Sequence, residues 1–225
     1  MQRRIFMLLL MIAAVTLLGC SGSADSSTGK GSTRLDGVEV TEYKGEMLGS
    51  IKEFRENSIL GPQKVDKESY RLLVTGLVDE PREYTYSEVT SDHASYEKVV
   101  QLDCVEGWSV KVLWQGVLLT DLIDEVGAKN GADTVIFRAA DGYSTSLPLS
   151  YIRDNDILLA YKMNGLTLPA ERGFPFELVA EQKWGYKWIR WVTEIELSND
   201  ASYRGYWESR GYTNSGDRDK SSLGK

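Results

Sequence analysis

Gln101-Leu-Asp-Cys-Val-Glu-Gly-Trp108 carries one of only two cysteines in a chain of 225 residues. The other, Cys20, closes an N-terminal apolar run where a lipid would consume it, which leaves Cys104 as the single free thiol. Cysteines of exported proteins usually pair, so an unpaired one asks for a reason. Two readings are open. A free cysteine packs as a small buried hydrophobe, or its thiolate serves as a nucleophile or a soft-metal ligand. Counting cysteines favours the first reading, and the rest of the chain reverses that preference.

The N-terminus sets the compartment. Met1-Gln-Arg-Arg4 is basic, Ile5 to Leu18 is apolar, and Leu17-Leu-Gly-Cys20 closes the run. That run is too short to cross a bilayer comfortably, so residues 1–19 read as a cleaved signal. Its end resembles the lipobox of lipoprotein signals, which implies a mature chain beginning at a lipidated Cys20. Two acyl chains on one residue suffice for stable anchoring. Arg3-Arg4 followed by Ile5-Phe6-Met7 also resembles a twin-arginine motif, the signal for export of proteins folded around a cofactor inside the cell. The expected location is the extracytoplasmic face of the cell membrane.

Residues 20–49 read as a flexible tether, because Ser21 to Ser32 is rich in Ser, Gly and Asp and lacks large apolar side chains. Residues 50–217 form the expected domain and 218–225 a disordered tail. The formal charge of −7 excludes nucleic acid as a general partner. The one histidine, His93, lies in a polar stretch and reads as a loop residue, which argues against a histidine zinc site, a Ser-His-Asp triad and a bis-histidine haem.

Short β-branched and apolar runs predict strands at 70–78, 99–104, 110–114, 134–138, 157–163, 176–180 and 188–197. Asn164-Gly165 marks a hairpin, and Leu118 to Val126 has helical spacing that stops at Gly127. The pattern predicts an α+β domain with mixed or mainly antiparallel pairing. Within it, Lys183-Trp-Gly-Tyr-Lys-Trp-Ile-Arg-Trp191 interleaves cations with tryptophans and contains no acid. This suits an aromatic-walled pocket for a flat anionic ligand, with Gly185 allowing close backbone approach. An amphipathic strand with outward Lys and Arg would look the same.

Taken in order, Asp103-Cys104-Val-Glu-Gly-Trp108, Asp141-Gly-Tyr-Ser-Thr-Ser-Leu-Pro148, Leu158-Leu-Ala-Tyr-Lys-Met-Asn-Gly165, Arg172-Gly-Phe-Pro175 and Lys183-Trp-Gly-Tyr-Lys187 resemble the sulfite oxidase-like molybdopterin enzymes. The resemblance runs from about Asn57 to Asp217, and the Cys-Val-Glu-Gly-Trp form is closer to the catalytic subunit of the periplasmic methionine sulfoxide reductase than to sulfite oxidase proper. It implies a single β-rich, sulfite oxidase-type domain holding a molybdenum pterin, with tungsten as the alternative metal and neither haem nor flavin.

Cys104 would be the metal's protein ligand, since a thiolate suits a soft position. Glu106, Trp108, Asp141 and Tyr143 would lie beside it. Asn57 would contact the pterin, and Arg172, Lys183 and Lys187 would hold its phosphate, with Trp184, Gly185 and Tyr186 in the same segment. Arg190 is the weaker candidate because strand alternation would turn it outward. The C-terminal segment 203–212 is too aromatic for a free tail and is expected to pack on the domain.

The resemblance implies oxygen-atom transfer, with reduction of sulfoxides or a similar oxygen donor expected. Ser109, Val110 and Lys111 stand where sulfite oxidases carry oxyanion-binding arginines, so oxidation of sulfite or another small anion is the alternative. A non-catalytic binding lipoprotein with the same fold is a third reading. Electrons would come from a membrane haem- or quinone-linked protein, or from a soluble cytochrome, and the sequence has no nucleotide-binding glycine fingerprint. A monomer is expected.

Overall fold

The computed structural model describes residues 37–224, so the expected signal, Arg3-Arg4, Cys20 and the first part of the tether lie outside the described residues. Along the chain run β1 (Glu42–Tyr43), β2 (Glu46–Met47), β3 (Arg71–Gly76), β4 (Arg82–Thr85), α1 (Tyr86–Ser91), β5 (Tyr96–Asp103) and β6 (Ser109–Leu118). Then come α2 (Leu119–Val126), β7 (Thr134–Ala139), β8 (Ser144–Pro148), α3 (Leu149–Asp154), β9 (Leu158–Met163), β10 (Leu166–Thr167), β11 (Glu177–Val179) and β12 (Val192–Ser198). Short 3-10 turns occur at Ile51–Glu53, Ala170–Arg172, Gly185–Lys187 and Glu208–Arg210.

One sheet has the order β4-β3-β12-β7-β8 and a second the order β10-β9-β6-β5, with β11 also pairing β9. All these pairs are antiparallel except β3 with β12, which joins the first long strand to the last and closes the domain. The expected α+β class holds. Alternation carries it: on β3, Leu72 and Val74 are fully buried while Arg71 and Leu73 are exposed. In α2 the buried set Leu119, Leu122, Ile123 and Val126 follows helical spacing, and Gly127 ends the helix at φ +68°. At Gly116 the β6–β9 pairing shifts register, and a Cβ there would come within 2.3 Å of the Leu159 carbonyl. Only glycine permits so close an approach.

Three expectations need correction. The tether does not extend to residue 49: β1 and β2 form a hairpin, and Glu39 accepts hydrogen bonds from Ser50 Oγ, the Ile51 amide and Asn164 Nδ2. Asn164 of the Asn-Gly turn is fully buried and also bonds the Leu113 amide and Gly49 carbonyl, so one turn side chain fastens this segment to the sheet. The expected disordered tail is docked. Arg218 pairs with Asp103 at 2.6 Å, and backbone bonds link Thr213 with Ser222 and Gly224 with Gly211. The strand expected at 188–197 begins only at Val192, because Trp188 leaves a 3-10 turn and Trp191 takes φ +55°.

Candidate active site

Cys104 sits in the turn that joins β5 to β6, and local hydrogen bonding fixes it there. Its amide donates to the Trp108 carbonyl at 2.9 Å, and the Gly107 amide returns a bond to its carbonyl at 3.0 Å. Gly107 holds φ +85°, a conformation that closes the turn and that glycine adopts without strain. The thiol is 5% exposed and receives a weak hydrogen bond from Asn57 Nδ2 at 3.6 Å. Burial pushes the thiol up from its ordinary value, with the Glu106 charge adding to that rise and nearby backbone N–H groups opposing it. An unliganded Cys104 is therefore kept as a thiol at neutral pH.

A cavity of about 160 Å³ opens beside Cys104. Nine of the residues expected at the site line it: Cys104, Glu106, Trp108, Asp141, Tyr143, Asn57, Arg172, Gly185 and Tyr186. Trp108 Nε1 donates to Glu106 at 3.0 Å, which fixes the indole as one wall. The β7–β8 turn supplies Asp141, which accepts the Tyr143 amide at 3.0 Å, and Tyr143 donates its hydroxyl to the Tyr186 carbonyl. Burial raises both the Asp141 carboxyl and the Tyr143 hydroxyl. Gly185 packs against the end of β5, where a Cβ would lie 3.4 Å from Cys104 Cα.

Lys183, Trp184 and Lys187 are not among the residues lining the cavity. Lys187 is fully buried, bonded to Glu208 at 2.6 Å and to the Asn214 carbonyl at 3.0 Å. Lys183 is 7% exposed and bonded to Asp217 at 2.5 Å. Trp184 Nε1 donates to the Lys220 carbonyl and so holds the C-terminal segment. Each expected lysine is satisfied by an acid far along the chain. The cavity's cations are instead Arg172 and Arg190, both bonded to Glu56 Oε2, at 3.0 and 2.9 Å. Arg190 also donates to Asn57 Oδ1 at 3.2 Å, so Asn57 links the guanidinium to the thiol.

Arg190, the weaker candidate by strand alternation, reaches the cavity because the chain at 188–191 is not a strand. Trp188 and Trp191 of the expected aromatic-walled segment line the cavity, and so do Glu177, Trp207 and Tyr212, which the sequence reading does not single out. An acid inside the apolar run Phe176-Glu-Leu-Val179 was the available signal for Glu177. The aromatic segment 203–212 packs on the domain as expected, with Tyr206 against Tyr143 at 5.8 Å and Tyr212 edge-to-face on Tyr186 at 5.0 Å between centroids. His93 lies away from the cavity, 3.0 Å from Glu125.

The residues present suit a flat, anionic, thiolate-bound group. One soft donor opens on the cavity, aromatic rings wall it, and two guanidiniums share a single carboxylate oxygen. Among the described residues no cluster of three or more His, Cys, Asp or Glu side chains forms a metal cage. A metal at Cys104 would find no such protein cage among these residues.

Comparison with known proteins agrees with this geometry. Residues 60–207 match the model of the oxidoreductase molybdopterin binding domain. The chain is 35% identical over 157 residues to the uncharacterized oxidoreductase YuiH of Bacillus subtilis (strain 168), covering 69% of this chain and 78% of that protein. It is 38% identical over 153 residues to a putative protein-methionine-sulfoxide reductase subunit, YedZ1, of Azospira oryzae, covering 67% of this chain and only 56% of that protein. The fold is similar to that of the sulfane dehydrogenase SoxCD from Paracoccus pantotrophus, with a TM-score of 0.61 at 23% identity over 69% of this chain and 43% of that one.

Proposed function

Because this chain belongs to the oxidoreductase molybdopterin binding domain family, we propose that it binds a molybdenum pterin through Cys104 and catalyses oxygen-atom transfer, in the direction of sulfoxide reduction. The observation that carries this reading is the placement of the free thiol on a cavity shared with two guanidiniums and a set of aromatic walls. When bound, the cofactor supplies the two-electron redox change and the soft metal position that a thiolate satisfies.

The chain's own residues supply position and electrostatics. Asn57 orients the Cys104 sulfur and the Arg190 guanidinium together. Arg172 and Arg190 would hold the phosphate through charge-assisted hydrogen bonds, Arg172 in its expected role and Arg190 in place of the two lysines. Trp108, pinned by Glu106, shields the thiol side from water. Asp141, its carboxyl raised by burial, is a group able to hold a proton inside the cavity. The aromatic lining from Trp207 and Tyr212 favours a substrate with apolar flanks over a bare oxyanion, and the similarity to a putative methionine sulfoxide reductase subunit supports the same choice.

The reading includes lipid anchoring at Cys20 outside the cell membrane, with a membrane haem- or quinone-linked protein as electron donor. The test is protein purified from its own host, assayed for molybdenum, tungsten and pterin and for recovery in the membrane fraction. Reduced artificial dyes are expected to drive sulfoxide reduction, whereas NADH alone is not. Metal-free protein from that host, or turnover with sulfite in place of sulfoxides, would overturn the assignment. Cys104→Ser should abolish turnover while the chain still folds, because an alkoxide is a harder ligand. Near-normal turnover with an unaltered metal spectrum would remove Cys104 from the role.

A further inference from the structure

Glu177 occupies the first position of β11, between the fully buried Phe176 and Leu178, and is itself only 3% exposed. It lines the cavity, yet among the described residues its buried Oε2 has no hydrogen-bond partner. Native proteins rarely leave such an atom unsatisfied, so an orphan carboxylate oxygen at a ligand cavity asks what completes it.

The charges around it narrow the answer. Arg172 approaches from the 3-10 turn before β11, and Arg190 from the segment whose backbone bridges Glu177 directly. Glu56 comes from the chain after the first 3-10 turn, and Asp141 faces the same cavity from the β7–β8 turn. From β9 Glu177 faces Ala160, which carries no charge. If Glu177 is ionised, Glu56 and Glu177 already offset the two guanidiniums, Asp141 and Glu106 add further negative charge to the cavity, and the seat has nothing to offer an anion. Protonated, Glu177 takes one negative charge away from beside Arg172 and Arg190 and adds an O–H donor. Burial pushes its carboxyl up to about 7 against the pull of Arg190 and Arg172, with Glu56 adding to the rise.

We propose that Glu177 takes up a proton from solvent when a phosphate group is seated on Arg172 and Arg190, and donates a hydrogen bond to it through its orphan carboxyl edge. The only bond formed is the O–H of the carboxyl. The proposal rests on the pterin reading above and makes cofactor retention proton-linked. The phosphate-bound form holds the Glu177 proton more tightly than the free form. Its contribution is complete below the free-form value and is lost as pH rises above it. The phosphate's own second ionisation, at about 6, increases its charge with pH and works in the opposite sense, so it cannot produce the same trend.

The experiment uses the full holoprotein, isolated at pH 6.5 and equilibrated between pH 6 and 8.5 at fixed ionic strength, with retained pterin read by the fluorescence of its oxidised form. In the unaltered protein the pterin dissociation constant should rise about tenfold per pH unit above neutrality. Glu177→Gln, which keeps shape and a donor but cannot titrate, should flatten the profile and hold pterin more tightly than the unaltered protein at pH 8.5. A flat profile in the unaltered protein overturns the proposal, as does a Glu177→Gln protein that keeps the slope, which would point to Asp141. If Glu177→Gln fails to accumulate, the slope of the unaltered protein decides. Protein without pterin at pH 6.5 would overturn the cofactor reading and this proposal together, whereas pH-independent retention overturns this proposal alone.

Discussion

Lys183 and Lys187 are each buried against an acid of the C-terminal segment, whereas Arg172 and Arg190 share one oxygen of Glu56 and line the cavity. The four cations lie within nineteen positions of one another, 172 to 190, and composition does not distinguish them. Pairing does. A lysine with its own carboxylate is spent on holding two segments together. Two guanidiniums that divide one carboxylate oxygen retain donors for a ligand. Arginine suits that second use, because its planar fork keeps several N–H groups and stays charged when buried.

The largest expected effect breaks the structural side of this contrast. Lys187 and Glu208 are both fully buried, Thr145 also donates to Glu208, and among the described residues Glu208 Oε2 has no hydrogen-bond partner. Burial lowers the Lys187 ammonium from its ordinary value, and the Glu208 charge opposes that shift. Lys187→Met would leave an uncompensated carboxylate in the core, which costs about 3–5 kcal/mol in such sites. Adding Glu208→Gln should restore much of that loss. Urea unfolding is the measurement, and a loss below about 1 kcal/mol would mean that the pair contributes no structural restraint.

The opposite outcome is expected at the cavity. Arg190→Gln removes a largely buried cation whose partners, Glu56 and Asn57, are themselves exposed and retain access to solvent or other donors. Unfolding should shift little, while pterin affinity should fall by about 1.5–3 kcal/mol, more than tenfold. If Lys187→Met depletes pterin from the folded fraction and Arg190→Gln does not, the roles assigned to the two pairs are reversed.

This contrast also marks how far the sequence could be read. The strands at 71–76, 96–103, 109–118, 134–139 and 158–163 declared themselves because burial alternation or apolar runs are local properties. Cys104 stands out as the free thiol, the motif's resemblance adds Glu106 and Trp108, and one hairpin turn holds all three. The lysine partners were not. Asp217 lies 34 positions from Lys183, and Glu208 lies 21 from Lys187, in segments read as a domain edge and an aromatic stretch. Arg190 was misjudged for a local reason. Trp191 adopts a positive φ, the strand starts one residue later, and counting alternation back from it assigns the wrong face. Glu177 was hidden because a strand flanked by Phe176 and Leu178 looks like core, and only its unbonded oxygen reveals the cavity behind it.

The smallest expected effect sharpens the contrast through pH. Burial acts to raise the Asp217 carboxyl, yet hydrogen bonds from Lys183 and Lys220 outweigh it and bring the value from 3.8 down to about 2. A carboxyl held lower in the folded state contributes stability that is complete above its unfolded value and is lost as pH falls through the folded one. The window is therefore about pH 4 to 2. Because Asp217 keeps some contact with water, the contribution is on the order of 1 kcal/mol. Urea midpoints for the unaltered protein and Asp217→Asn should differ at pH 6 and converge near pH 2, other acids being common to both chains and cancelling in the difference. Pterin content corrected for folded protein should not change at pH 6, since Lys183 does not line the cavity. A difference that persists at pH 2 would show that Asp217 acts through packing and not through its charge. A loss of pterin in Asp217→Asn would instead return Lys183 to the cofactor and dissolve the distinction between the two pairs of cations.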